Sequence, residues 1–194
     1  MKLIRESLGH NFTRGGVDKL TNLNLGKVKR IKDWLDETGV TYYEIHDDYR
    51  IDASCDPDFR SYLTGSLPDF IQFGCIYGDF TIEDCKMTTL RGCPLFVNGN
   101  FYCGANELKS LVGGPDTVTG GYYCGGNLLK TLEFCPDYVG ADFACDWNKL
   151  KDLKFAPVRI DGNFIYGGNK ISKEELQRYK ESGSVKGDFL KHDD

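Results

Sequence analysis

Five aromatic residues, Phe80, Phe101, Tyr122, Phe143 and Phe164, stand 21 positions apart with no insertion or deletion between them. Other columns keep the same step. Ile82, Cys103, Cys124, Cys145 and Tyr166 lie two places after each aromatic, and Cys85, Asn106, Asn127, Asn148 and Asn169 lie five after. Met87, Leu108, Leu129, Leu150 and Ile171 follow at plus seven, then Leu90, Leu111, Leu132 and Leu153 at plus ten. Pro94, Pro115, Pro136 and Pro157 align at plus fourteen, and Val97, Val118, Val139 and Ile160 three further on. A strict period of this length means stacked coils, each unable to bury its apolar face alone, so the chain is read as a solenoid.

Within one coil the Phe-x-Cys alternation predicts a short strand with both named side chains inward. Stacked in parallel about 4.8 Å apart, such strands build one continuous sheet. The following Asn is expected at a buried tight turn, its amide pairing with backbone of its own and the adjacent coil. The two leucines fill the far side of the core, and Pro and Gly set the return turns. Cys103, Cys124 and Cys145 form one interior column, and Cys93 and Cys135 share another with Gly114 and Ala156. Small buried thiols suit both columns, and no C-x-x-C pair is present for zinc or redox chemistry. Neither a metal nor a cofactor is expected.

The pattern F-x-C-x-x-N-x-L-x-x-L resembles the leucine-rich-repeat signature over residues 76 to 171, with Asn106, Asn127, Asn148 and Asn169 at the signature Asn. It departs at Cys85, as terminal coils do. The resemblance implies an α/β repeat: a leucine-rich-repeat-like solenoid with a 21-residue period and a parallel sheet. A helix is expected to cap each end.

Residues 1–67 read as an N-terminal segment and cap, with a helix over about 25–38 and strands over about 41–53. The helix places Leu25, Val28, Ile31, Trp34 and Leu35 on one face before Gly39. The solenoid spans 68–171. Residues 172–194 form a C-terminal cap: Ser172-Lys173-Glu174-Glu175 opens a helix, and Val185-x-Gly187-x-Phe189 repeats the approach to a strand four residues late.

The first 32 residues hold eight Lys or Arg against Glu6 and Asp18, net +6, which leaves −11 on the remainder of a chain whose total is −5. This basic segment is best read as a solvated face or one packed near the acidic body. Nucleic-acid binding through it is the alternative. No run of 18 apolar residues and no leader pattern occurs, so a cytoplasmic protein is expected.

No catalytic constellation stands out. The histidines are His10, His46 and His192, outside the repeats. His46-Asp47-Asp48 reads as a polar turn rather than a base or metal site. Gly125-Gly126-Asn127 and Gly167-Gly168-Asn169 lack phosphate-loop spacing, and no G-x-S-x-G elbow occurs. The chain is therefore expected not to be an enzyme.

Side chains flanking the inward anchors point out of the sheet. One outward column is Thr81, Tyr102, Tyr123, Ala144 and Ile165, a central apolar stripe. Beside it run Glu83, Gly104, Gly125, Asp146 and Gly167, and on the other side Asp79, Asn100, Gly121, Asp142 and Asn163. Trp147 follows at the strand's exit. Aromatics on an open sheet are typical interface anchors, so Tyr102, Tyr123, Trp147, Asp79, Asn100, Asp142 and Ile165 are the expected partner-binding residues. The bland alternative is that Tyr102 and Tyr123 only stack on each other.

Glu6-Ser7-Leu8…Phe12-x-Arg14-Gly15, Ile31-Lys32-x-Trp34-Leu35 and Ile71-Gln72-Phe73-Gly74, followed by the N-x-L-x-x-L repeats, make the chain as a whole resemble small repeat proteins of tailed phages of Bacteroidetes-type bacteria. The resemblance implies a phage accessory protein acting in the host bacterial cytoplasm on a host protein such as a defence component. A minor virion or packaged protein is the structural alternative. No site residues carry over from it.

Overall fold

The computed structural model of the chain describes residues 24–60 and 62–191. Most of the basic N-terminal segment, the Glu6–Gly15 motif, His10 and His192 lie outside the described residues.

Helix α1 (Leu25–Glu37) begins where the Asn24 side chain accepts a hydrogen bond from the Lys27 N–H, and it buries Val28, Ile31, Trp34 and Leu35. That cap occupies one of the amide donors left unpaired at a helix start. Strands β1 (Tyr43–Ile45) and β2 (Ile51–Ala53) pair antiparallel across the His46–Tyr49 turn. From β3 (Phe73–Ile76) onward every strand pairing is parallel.

The repeating part is a β-solenoid of about seven turns with two parallel sheets, where the repeat pattern predicts one. The first sheet runs β1-β2-β3 and then β5 (Phe96–Val97), β7 (Thr117–Val118), β9 (Tyr138–Val139) and β11 (Arg159–Ile160). The second holds β4 (Phe80–Thr81), β6 (Phe101–Tyr102), β8 (Tyr122–Tyr123), β10 (Phe143–Ala144), β12 (Phe164–Ile165) and β13 (Phe189–Leu190). The Val97 column, to which the repeat pattern assigns no strand of its own, is thus a second strand. Two paired residues in each coil suffice, because the coils above and below supply every backbone partner.

Among the described residues no helix lies between Glu37 and Lys173, so the repeats themselves carry none of the α/β character expected of them. A 21-residue coil has no room for one: two strands, the L-x-x-L leg and three corners consume it. The register is fixed by identical positions, with Phe80 opposite Phe101, Phe101 opposite Tyr122 and Phe143 opposite Phe164.

The core is one column of stacked rings flanked by aliphatic columns. Phe80, Phe101, Tyr122, Phe143 and Phe164 are wholly buried, with successive ring centroids 5.2 to 6.1 Å apart. Burying rings of this size dominates the hydrophobic driving force. At the N-terminal end Trp34 of α1 stacks on Phe59 at 5.4 Å. At the other end helix α2 (Lys173–Glu181) opens with Ser172 Oγ accepting from the Glu175 N–H, and its Tyr179 sits edge-on to Phe164 at 5.2 Å. Strand β13 then pairs with β12, Phe189 opposite Phe164, after the four-residue delay seen in the sequence.

Candidate functional site

Two hydrogen-bonded side-chain ladders run along the second sheet, one inside and one outside. The inner ladder is the asparagine column. Asn127 donates Nδ2 to the carbonyls of Cys103 and Cys124, while its Oδ1 accepts from the Leu108 N–H at 2.9 Å. Asn106, Asn148 and Asn169 repeat the arrangement. Each coil turns this corner through a left-handed residue just before the Asn, or before Cys85 in the first coil: Asp84, Ala105, Gly126, Trp147 and Gly168 have φ between 51° and 67°. The corner residue varies because the ladder holds the turn. A non-Gly residue there costs on the order of 1–2 kcal/mol, which the amide bonds offset.

The outer ladder runs along the other margin of the sheet. Asp79 Oδ1 accepts from the Asn100 N–H and Asn100 Oδ1 from the Gly121 N–H, both at 2.7 Å. Asp142 Oδ1 accepts from the Asn163 N–H at 2.7 Å, and Asn163 Oδ1 from the Asp188 N–H at 2.9 Å. Three of the expected partner-binding residues, Asp79, Asn100 and Asp142, therefore also hold coil to coil.

Gly121 interrupts this ladder, and the interruption positions the tyrosines. A β-carbon built at Gly121 would lie 2.5 Å from the Tyr123 ring, so that ring lies flat against the bare backbone. Tyr102 stacks on Tyr123 with centroids 4.8 Å apart and planes 8° from parallel. Both are half-buried, so the stack named as the alternative to a binding role does form, while part of each ring stays open to solvent. Their phenols are pushed above the ordinary value, first by burial and then by carboxylates: Asp79 and Glu83 beside Tyr102, Asp142 beside Tyr123. Ala144 is buried, and Ile165, half-buried, stands two strands beyond Tyr123. Trp147 is exposed at the corner, its ring covering Gly168, where a β-carbon would meet it at 2.7 Å. The structure thus brings Tyr102, Tyr123, Asp79, Asn100 and Asp142 together, and sets Ile165 and Trp147 to one side.

Sequence reasoning missed a second exposed apolar feature, at the corner leading into the first sheet. Phe134 is 58% exposed with φ 71°, where the two preceding coils have Gly92 and Gly113, also left-handed. Phe155 follows one coil on, with Val112 and Val158 exposed nearby in the coils. The signal was present as a Gly-to-Phe change in one column, but a period search rewards agreement and passes over such changes.

All eight cysteines are free, and burial raises the Cys103, Cys124 and Cys145 thiols well above their ordinary value. Among the described residues no group of three His, Cys, Asp or Glu side chains is placed to hold a metal. His46 Nε2 lies 3.0 Å from the buried Asp52 carboxylate, whose other oxygen accepts from the Cys75 N–H. Among the described residues no helix is long and apolar enough to cross a membrane.

The fold defines a repeat protein of the β-solenoid class. No family model matches the chain, and comparison with the curated proteins and with the solved structures found no match.

Proposed function

We propose that this solenoid is a non-enzymatic protein–protein interaction module whose binding surface is the outer face of the second sheet. The observation that carries the reading is the Tyr102–Tyr123 pair: two parallel rings, immobilised against Gly121 and each other, yet partly open to solvent. Rings already fixed in one orientation lose little entropy on binding, which suits them as anchors. Asp79, Asn100 and Asp142 form the polar margin, with Ile165 and Trp147 extending the surface along the solenoid. The resemblance to phage repeat proteins supports an accessory role, with a host bacterial protein as partner in the host cytoplasm. Helices α1 and α2 act as caps in this reading, keeping the open sheet ends from stacking on other copies.

The test is a pull-down from bacterial lysate, comparing the wild type with a Tyr102→Ala/Tyr123→Ala variant whose fold is checked by circular dichroism. A protein retained by the wild type and lost by the folded variant is expected. Equal capture by both would remove the face from consideration.

A further inference from the structure

We infer that the third side of the coils, the leg between the asparagine corner and the proline, binds single-stranded nucleic acid, with phosphates on a lysine column and bases on Phe134 and Phe155. This site is separate from the tyrosine face and does not rest on it.

The leg is the basic side of an acidic protein. Residues 86–91, 107–112, 128–133 and 149–154 hold Lys86, Arg91, Lys109, Lys130, Lys149, Lys151 and Lys154 against Glu107, Glu133 and Asp152, net +4 in a chain whose total is −5. Arg91 is paired with Asp69 at 3.2 Å. Successive legs stack in register. The Glu107 N–H donates to the Met87 carbonyl, Leu128 to Leu108 and Lys149 to Leu129, at 2.8 to 2.9 Å. Lys109, Lys130 and Lys151 therefore hold one position in three successive coils, and all three are exposed. At about 4.8 Å per coil, like charges in one column repel each other. A bound polyanion relieves that repulsion.

The corner that ends the leg supplies the aromatic half of the site. Phe134 and Phe155 are 58% and 42% exposed, each four residues after a lysine of the column, Lys130 and Lys151. Phe134 has φ 71° where the two preceding coils place left-handed glycines, a conformation that penalises a β-carbon. Packing does not account for an exposed ring held at such a position. Lys154 Nζ lies 4.9 Å from the Phe155 ring centroid, so charge and ring meet at the end of the leg.

A basic track for the backbone beside aromatic rings for the bases is how single strands are held without sequence preference, since every base has a π-face. Phosphates along one strand of a duplex are about 3.4 Å apart. One nucleotide per coil, at about 4.8 Å, draws the bases apart and opens their faces to the rings. A duplex keeps those faces in its own stack. An acidic peptide satisfies the lysines and leaves the phenylalanines unused.

The experiment is a fluorescence-anisotropy titration of the purified full chain with a labelled oligothymidine about ten nucleotides long. Phe134→Gly/Phe155→Ser removes the rings, its first change restoring the glycine of the preceding coils. Lys130→Gln/Lys151→Gln removes two charges of the column. The control, Lys27→Gln/Lys29→Gln, removes two exposed charges on α1, and circular dichroism checks that each variant is folded. Binding is expected to weaken about tenfold or more in both site variants, about 1.4 kcal/mol per factor of ten. It is expected to hold in the control and in Tyr102→Ala/Tyr123→Ala. The lysine variant should also flatten the slope of log K against log salt by about 1.4, at about 0.7 per phosphate contact on a single strand. Absence of binding to the wild type overturns the inference, as does a loss in the control equal to that in the site variants. Binding unchanged by the phenylalanine variant overturns it too, and competition with a polyglutamate peptide then shows whether the leg takes an acidic protein segment instead.

Discussion

The inner and outer ladders of the second sheet solve the same problem with different tolerance. Both thread a side-chain oxygen from one coil onto a backbone N–H of a neighbouring coil. Inside, Asn106, Asn127, Asn148 and Asn169 follow one another without a break, and only the first coil departs, with Cys85. Outside, the column reads Asp79, Asn100, Gly121, Asp142, Asn163, and the gap at Gly121 is occupied by the Tyr123 ring. The inner corner is sealed from water, so a missing amide there strands several backbone groups at once. At the outer margin water can replace a missing partner. The chain is therefore free to interrupt the outer ladder and place aromatic side chains in the gap, which is where the candidate face lies.

Breaking the inner ladder should produce the largest effect. Asn127→Ala removes the partners of the Leu108 N–H and the Cys103 and Cys124 carbonyls, all buried. A loss of about 3–4 kcal/mol is expected in urea unfolding. A loss under about 1 kcal/mol would mean that ring stacking alone holds the coils. Asn100→Ala makes the equivalent cut outside, and its expected cost is about 1 kcal/mol because the Gly121 N–H is only partly buried. Similar costs at the two sites would mean that the inner and outer ladders tolerate a gap equally.

A third substitution probes the interior from the opposite direction. Tyr122 stands in the phenylalanine column, and its buried hydroxyl has no hydrogen-bond partner among the described residues. It points toward the space left by Gly114, amid the thiols of Cys103, Cys124, Cys135 and Cys93. Tyr122→Phe is expected to stabilise the fold by up to about 1 kcal/mol, since it deletes a desolvated polar atom with little change of shape. A clear loss of stability would show that the thiols serve as real partners.

The smallest effect on stability, and the most direct on function, is expected from Gly121→Asn. The new amide could complete the outer ladder, but its β-carbon needs the space held by the Tyr123 ring. Stability should change by less than about 1 kcal/mol, while the Tyr102–Tyr123 stack is lost. Partner capture should fall as it does in the double-alanine variant. Retained capture would separate binding from the stacked geometry.

Much of this was legible in the residues alone. The solenoid, its 21-residue step, the parallel pairing, the asparagine ladder and the late strand at Phe189 all follow from periodicity. A strict repeat leaves stacking of identical positions as the way to bury its apolar columns. The same logic identified the outward tyrosine column, and its stacking was the alternative weighed against a binding role. The first sheet was hidden because Phe96-Val97 and its repeats sit between proline and glycine, where a short strand and a turn have the same composition.

Tertiary structure alone decided what neighbouring coils do to each other's surfaces. That Asp79 and Asn100 hold backbone and that Tyr123 lies on Gly121 both depend on contacts between coils. The period says which residues are neighbours. Side-chain direction and the space each glycine leaves open determine whether those neighbours form a ladder, a stack or a binding surface.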